Sequence, residues 1–346
     1  MADRRIRMRT HQFDLQLRHP FTISRGTVTV QPTLIVELDD GRHQGFGEAT
    51  TNDYYRMTMP RMLDALERVR NTVESIEVID PPKLWNAVAS QLSDVPFALC
   101  ALDQAAYDLW GKQQGEPVYR LLGLGIENNP ASDFTIGIDS VDRMIAKLRE
   151  VPGWPIYKVK LGTENDLAIV RQLREQTSAV IRVDANCGWT VQETIDNSRR
   201  LKELGVEFIE QPLPADDWEG ARRVYADSAL PIIADESCIA VEDVDRCAGH
   251  FHGVNIKLVK CGGITPARRM ISRARELEMK VMIGCMTEST VGISAIAQLL
   301  PLLDYVDMDG AALLSSDIAK GVEVIDGVCH YPRENGNGVT LEHFQE

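Results

Sequence analysis

Lysine and carboxylate side chains recur at near-even intervals through the second half of the 346-residue chain. They run Lys160, Asp184, Glu210, Asp235 and Lys257, in steps of 24, 26, 25 and 22 residues. Three carboxylates brought to one place repel strongly unless a cation neutralises them. With no histidine or cysteine in the triplet, the hard oxygen donors of Asp184, Glu210 and Asp235 suit Mg²⁺, with Mn²⁺ as the alternative ion. Asn186 and Glu236 stand two and one residues past ligands and are expected to be outer ligands or to orient the inner ones. For any one acid taken alone, a helix cap or an ion-pair partner is the competing reading.

The lysines flank the acids, Lys158 and Lys160 before them and Lys257 after. A lysine takes up a proton near neutral pH only if its pKa falls, and a fall from ~10.4 to ~7.5 requires about 4 kcal/mol of bias against the charged form. Burial, a neighbouring ammonium and a nearby divalent cation all act in that direction. Lys158 is therefore expected to tune Lys160. Lysines that merely bridge the carboxylates without a metal are the alternative, and it leaves their placement on opposite flanks unexplained.

Each of these residues closes a short β-branched run that reads as a strand. Strand starts are expected near residues 134, 156, 180, 208, 232, 254, 281 and 305, with amphipathic helices over 141–150, 164–176, 190–204 and 266–277. The unit length is that of one strand, one helix and two loops. Charges repeated at the C-terminal ends of such units point to a site at the mouth of a β/α barrel. An open doubly wound sheet is the competing fold, and the even spacing favours closure.

The first third reads as a separate α+β unit. An alternating run over 5–17 and strands over 33–38 and 44–48 flank a hairpin signal at Asp39-Asp40-Gly41. Helices are expected over 60–78, 82–92 and 96–113, the last with Phe97, Leu102, Ala105, Ala106 and Leu109 on one stripe. Residues 19–26 read as a loop between two strands. The boundaries expected are 1–125, 126–325 for the barrel, and 326–346 for a C-terminal segment.

Composition excludes several classes of partner. The excess of 51 Asp+Glu over 37 Lys+Arg, a net charge of −14, argues against nucleic acid and for a small molecule. The N-terminus is charged and shows no apolar leader. The longest apolar stretch, near 291–306, is interrupted by Gln298 and Asp304 and reads as a buried barrel helix, not a membrane span. Seven scattered cysteines without a Cys-x-x-Cys pair suit reduced thiols in the cytoplasm.

Tyr157-Lys158-Val159-Lys160, Asp184-Ala185-Asn186, Glu210-Gln211-Pro212, Ala234-Asp235-Glu236-Ser237 and Asn255-Ile256-Lys257 together resemble the enolase superfamily, in its muconate-lactonizing branch. Residues 115–123, Gly-Glu-Pro-Val-Tyr-Arg-Leu-Leu-Gly, resemble that family's junction between cap and barrel. The resemblance implies an α/β fold, a modified TIM barrel of (β/α)7β type with an N-terminal α+β capping domain. The last twenty or so residues would return to that cap. It also implies that Asp184, Glu210 and Asp235 hold Mg²⁺. Lys160 and Lys257 would be the acid/base residues on the two faces of a substrate α-carbon. Lys158 would steady the substrate carboxylate and its enediolate form, in keeping with the Lys or His base and Mg²⁺ of such sites.

Val306-Asp307-Met308-Asp309-Gly310 discriminates among reactions of this branch. Two aspartates two apart in a strand point the same way and call for a cation, of which an ammonium is the natural small one. This Asp-x-Asp resembles the dipeptide epimerases, in which it holds the α-ammonium of the N-terminal residue. Capping a helix or binding Lys or Arg is the alternative use of Asp307 and Asp309. Residues 284–289 also resemble that group, with Glu288 expected to hydrogen-bond in the site, and Thr135 matches a substrate-contact position. Relatives acting on L-Ala-Glu dipeptides place an arginine after the first strand to meet the glutamate carboxylate, and Arg25 stands there. Phe21, Ile23, Tyr54 and Tyr55 could equally frame an apolar second residue, and a solvated connection is the bland reading of the loop.

The expected function is that of an isomerase, a Mg²⁺-dependent dipeptide epimerase that inverts the α-carbon of the C-terminal residue by two-lysine 1,1-proton transfer through an enediolate. A muconate or chloromuconate cycloisomerase, an o-succinylbenzoate synthase or an N-acylamino-acid racemase of the same branch is the alternative. A non-catalytic metal-binding barrel is the alternative of another class. A dipeptide is the expected partner, with no nucleic acid or membrane, in a cytoplasmic homo-oligomer.

Overall fold

The structure, a computed structural model, describes residues 5–342. It opens with an antiparallel three-stranded meander, β1 (Arg7–Ile23), β2 (Gly26–Asp39) and β3 (Gln44–Thr50). The stretch 19–26, expected as a loop, is instead the end of a hairpin. The β1–β2 register breaks between Gln16 and Phe21 and resumes with Phe21 opposite Val28 and Ile23 opposite Gly26. Pro20 falls in that irregularity, where its missing donor is tolerated. Thr22, Ile23, Thr27, Val28 and Val30 supply the β-branched residues that keep both strands extended to the tip. Only Ser24 and Arg25 form the turn, so Arg25 sits at the tip of a two-stranded arm. At the β2–β3 end, the Asp40 carboxylate accepts from the amides of Arg42 and His43, as the hairpin signal requires.

Three helices follow: α1 (Met59–Glu74), α2 (Pro81–Val88) and α3 (Pro96–Gln114). Thr58 and Asp80 cap the first two with side-chain oxygens, and a proline stands in the first turn of each. Both helices stop about four residues short of expectation. The stripe expected on α3 is buried, each such Phe or Leu contributing about 1.5–3 kcal/mol. α3 lies flat against the sheet because β3 offers no side chain at the crossing. A Cβ on Gly47 would come within 2.0 Å of the Ala101 carbonyl oxygen.

After the short α4 (Val118–Leu121) the chain alternates: β4 (Phe134–Ile136), α5 (Val141–Glu150), β5 (Ile156–Lys160), α6 (Asp166–Arg174), β6 (Val180–Asp184), α7 (Val191–Glu203), β7 (Val206–Glu210), α8 (Trp218–Asp227), β8 (Ile232–Ala234), α9 (Val241–Cys247), β9 (Gly253–Ile256), the short α10 (Leu258–Cys261), α11 (Ile264–Glu276), β10 (Lys280–Gly284), α12 (Thr290–Ala297) and β11 (Tyr305–Asp307). The eight strands from β4 to β11 pair in parallel in strict sequence order. A parallel bridge between Ser132 and Val306 brings the two edges together, so the sheet is a nearly closed barrel with seven crossovers. The open-sheet alternative is thereby excluded. Strand starts agree with the sequence reading to within two residues.

α12 is buried along its whole length, as expected of the apolar stretch that begins there. Among the described residues no helix is long and apolar enough to cross a membrane. Past the barrel, β12 (Ala319–Lys320) pairs with β15 (Thr340–Leu341), and β13 (Glu323–Ile325) with β14 (Val328–His330). The last segment runs along α3 and α4: Val118 donates its amide to the Gly336 carbonyl, and Lys112 Nζ reaches the Val339 carbonyl at 2.7 Å.

Candidate active site

The barrel register sets the chemistry side by side. Lys160 pairs with Asp184 and Asp184 with Glu210, so these three form one row at the C-terminal ends of β5, β6 and β7. Asp235 follows β8 and Lys257 follows β9. All five are buried. Carboxylate oxygens of Asp184, Glu210 and Asp235 lie within 4.8 Å of one another. Lys160 Nζ donates to Asp184 Oδ2 at 2.6 Å and Lys257 Nζ to Asp235 Oδ2 at 2.8 Å. The two lysines therefore approach the triplet from its opposite ends.

The residues present fit a divalent cation. The donors are three carboxylates and nothing softer. Glu210 Oε2 is buried without a hydrogen-bond partner, Lys158 Nζ standing 3.5 Å away. Burial pushes the Glu210 carboxyl up to about 7, Lys158 opposes this, and Asp184 and Asp235 add to it. Asp235 goes the other way, because Lys257 and Lys260 outweigh burial. Burial would lower the Lys257 ammonium, but Asp235 and Glu210 together raise it. Lys158 is raised likewise, against burial, by Asp307 and then Glu210. The downward shift expected for a lysine base is thus opposed by the carboxylates that a divalent cation would itself neutralise.

Further buried side chains hold these carboxylates, and some of them escaped the sequence reading. Asn186, as expected, serves Asp184: its amide donates to Oδ1 at 2.8 Å and its Nδ2 to Oδ2 at 3.1 Å. It does so from a left-handed backbone with φ of 43°, which asparagine tolerates. Asn255 and Lys260 were not anticipated. Asn255 Nδ2 donates to Glu210 Oε1 at 2.6 Å. Lys260 Nζ, fully buried, donates to Asp235 Oδ1 at 2.6 Å and to the carbonyls of Asp235, Cys238 and Asn255. Asn255 lies two residues before Lys257, hence on the same strand face, which was a usable signal. Arg182, the neighbour of Lys158 on the next strand, pairs with Asp133 at 2.9 Å.

Across the mouth, Asp307 ends β11 and Asp309 follows. Lys158 Nζ is hydrogen-bonded to Asp307 Oδ2, leaving Oδ1 buried and unpartnered. Asp309 Oδ2 accepts the Thr135 amide at 2.6 Å, and the Cys285 thiol points at Oδ1 from 3.9 Å. The two acids part company in charge. Lys158 overcomes burial and holds Asp307 down to about 2, whereas burial, Asp307 and Asp133 drive Asp309 well above the usual carboxylate range. The two carboxylates thus differ in what faces them, the Lys158 ammonium at Asp307 and other acids at Asp309.

A cavity of about 540 Å³ connects these groups, with Lys160, Lys257, Thr135, Asp307 and Asp309 on the barrel side. The cap closes it with Phe21, Ile23, Arg25, Tyr54 and Tyr55. Arg25 is already engaged there: its Nη2 donates to Glu236 Oε1 at 2.7 Å, and its guanidinium lies 4.5 Å from the Tyr54 ring centre. Glu236 thus faces the cap arginine. Glu288 does not line the cavity. It is buried behind the loop, where its Oε1 accepts the Met286 amide, and burial and then Glu48 push its carboxyl up to about 8. Glu48, also unanticipated, crosses from β3 to the start of α12 and accepts from Ser289 Oγ at 2.6 Å and the Gly292 amide at 2.9 Å. A surface groove of about 650 Å³ near Val78 and Trp110 is larger but gathers no comparable set of acids and lysines.

Residues 5–123 match the mandelate racemase / muconate lactonizing enzyme N-terminal domain, and residues 141–345 match the enolase C-terminal domain-like family. The chain belongs to the enolase superfamily. An L-Ala-D/L-amino acid epimerase of Flavobacterium johnsoniae is 56% identical over 330 residues, covering 95% of this chain and 98% of its own length. Among solved structures, a dipeptide epimerase of Enterococcus faecalis in complex with Mg and L-Leu-L-Tyr superposes with a TM-score of 0.92 at 29% identity, covering 97% of this chain and 99% of that one. A dipeptide epimerase of Cytophaga hutchinsonii with Mg and D-Ala-L-Val has a TM-score of 0.92 at 26% identity, covering 98% of this chain and 96% of that one.

Proposed function

We infer that this chain is a Mg²⁺-dependent dipeptide epimerase, an isomerase that inverts the α-carbon of the dipeptide's C-terminal residue. The observation that carries this reading is the approach of Lys160 and Lys257 to the carboxylate triplet from opposite ends, with Asp307 and Asp309 across the same cavity. Asp184, Glu210 and Asp235 would hold the ion. Mg²⁺ bound there would supply positive charge to the substrate carboxylate as the neighbouring α-proton becomes acidic.

The rest follows from the chain's own side chains. A dipeptide whose α-ammonium lies at Asp307 and Asp309, beside Thr135, presents its second α-carbon between the two lysines. One lysine removes the α-proton, leaving a planar enediolate. The other delivers a proton to the opposite face, which inverts the centre. Lys158, buried between Glu210 and Asp307, adds a fixed positive charge on the enediolate side. Asn186 and Glu236 hold the surroundings of Asp184 and Arg25, and Glu288 supports the loop after β10. Residues 1–125 would act as the lid, 126–325 as the catalytic barrel, and 326–346 as the strap joining them. Seven cysteines without a disulfide support a reducing, cytoplasmic setting, and a homo-oligomer is the assembly to test by light scattering.

A dipeptide library incubated in D₂O with Mg²⁺ tests the reading. Mass gain confined to the C-terminal residue, with both epimers appearing, is the expected result. A library in which no dipeptide exchanges or epimerises would overturn it.

A further inference from the structure

Among the contacts of the cavity, the Arg25–Glu236 pair has no part in the proton transfer just described. It stands where the second side chain of a dipeptide must go. With the carboxylate at the triplet, the ammonium at Asp307 and Asp309 and a lysine on each face of the α-carbon, the cap wall is the remaining side of the cavity. We propose that Glu236 is a specificity-determining residue, which neutralises Arg25 so that the site selects neutral over acidic side chains at the C-terminal residue. The proposal rests on the dipeptide reading above.

The geometry gives the reason. The Glu236 side chain is 1% exposed and that of Arg25 is 31% exposed, so the pair is withdrawn from water mainly on the glutamate side. Arg25 Nη2 is spent on Glu236 Oε1, Nη1 leans toward the Asn186 carbonyl at 3.4 Å, and Tyr54 covers the guanidinium face. Glu236 Oε2 is buried and has no hydrogen-bond partner. An incoming side-chain carboxylate would meet one cation already paired with one anion, and would have to share it at the cost of its own hydration. Asp184 adds its negative charge to that of Glu236 in facing Arg25. A neutral side chain faces no such competition, and Phe21, Ile23 and Tyr55 give it apolar surface to cover.

L-Ala-L-Gln and L-Ala-L-Glu differ in charge at nearly equal size, so their kcat/KM ratio reads the effect directly. The wild-type enzyme is expected to prefer Gln, and Glu236→Gln, which leaves Arg25 with a free charge, to shift the ratio toward Glu by about tenfold. Glu236→Asp, which draws the carboxylate back by one methylene, should shift it the same way to a smaller extent and serves if the first variant does not fold. A general weakening of the site would lower both substrates and leave the ratio unmoved. Wild-type preference for Glu, or a ratio unmoved in the folded variants, would overturn the proposal. Absence of exchange with every dipeptide would instead remove the reading beneath it, and the proposal with it.

Discussion

Asn255 Nδ2 holds Glu210 Oε1 at 2.6 Å and leaves the other oxygen of the same carboxylate buried without a hydrogen bond, 3.5 Å from Lys158 Nζ. A buried acceptor without a donor is costly, and a cation held by the triplet would relieve that cost. In the proposed metal site the amide would thus hold the Glu210 carboxylate in place.

Asn255→Ala should therefore weaken Mg²⁺ binding by about 10- to 100-fold, the usual effect of losing a partner behind a ligand. Titration calorimetry with Mg²⁺ alone measures it. Unchanged affinity in a folded variant would show that Glu210 is aimed by its backbone.

Metal removal is the coarser test. Exhaustive chelation should abolish epimerisation and Mg²⁺ should restore it, Mn²⁺ being the first substitute to try. Full turnover in a verified metal-free preparation would contradict the reading of the triplet.

Acetylating the amino terminus of the dipeptide removes the cation that Asp307 and Asp309 would meet. Leaving a buried charge without its partner costs about 3–5 kcal/mol, so kcat/KM should fall at least about a hundredfold. Equal turnover of free and acetylated dipeptides would favour the acylamino-acid racemase alternative.

Glu288 gives a pH signature in stability. Its folded carboxyl is raised to about 8 by burial and then Glu48, against ~4.3 for an unperturbed glutamate. The folded chain then holds a proton that the unfolded chain has lost, so this residue's contribution to stability falls as pH rises between those two values. Glu288→Gln removes the loss. Its melting temperature should exceed that of the wild type by a margin that widens, by roughly a few degrees, from about pH 5 to about pH 9. A margin constant across that range would mean that Glu288 does not titrate there.

Residues that close parallel strands were legible because strand, helix and loop lengths repeat and a charge at the end of a buried run stands out. That covers Lys160, Asp184, Glu210, Asp235 and Lys257, and it carried the barrel with it. Lys260 was not legible, since its ammonium turns back from α10 to Asp235 through a path that only the fold defines. Glu48 meets Ser289 across 241 positions, and no local pattern announces such a contact. Arg25 was found as a residue but its partner was not: Glu236 lies 211 positions away, and β-branched neighbours turned the expected loop into a hairpin tip.

If two lysines serve two faces of one carbon, removing one leaves the other face active. Lys160→Ala and Lys257→Ala are each to be given the separate L,L and L,D epimers of one dipeptide in D₂O with Mg²⁺. Each variant should exchange the α-proton of one epimer only, a different epimer for each variant, and neither should invert the centre. Inversion by either single variant, or exchange of the same epimer by both, would mean that the two lysines do not each serve one face.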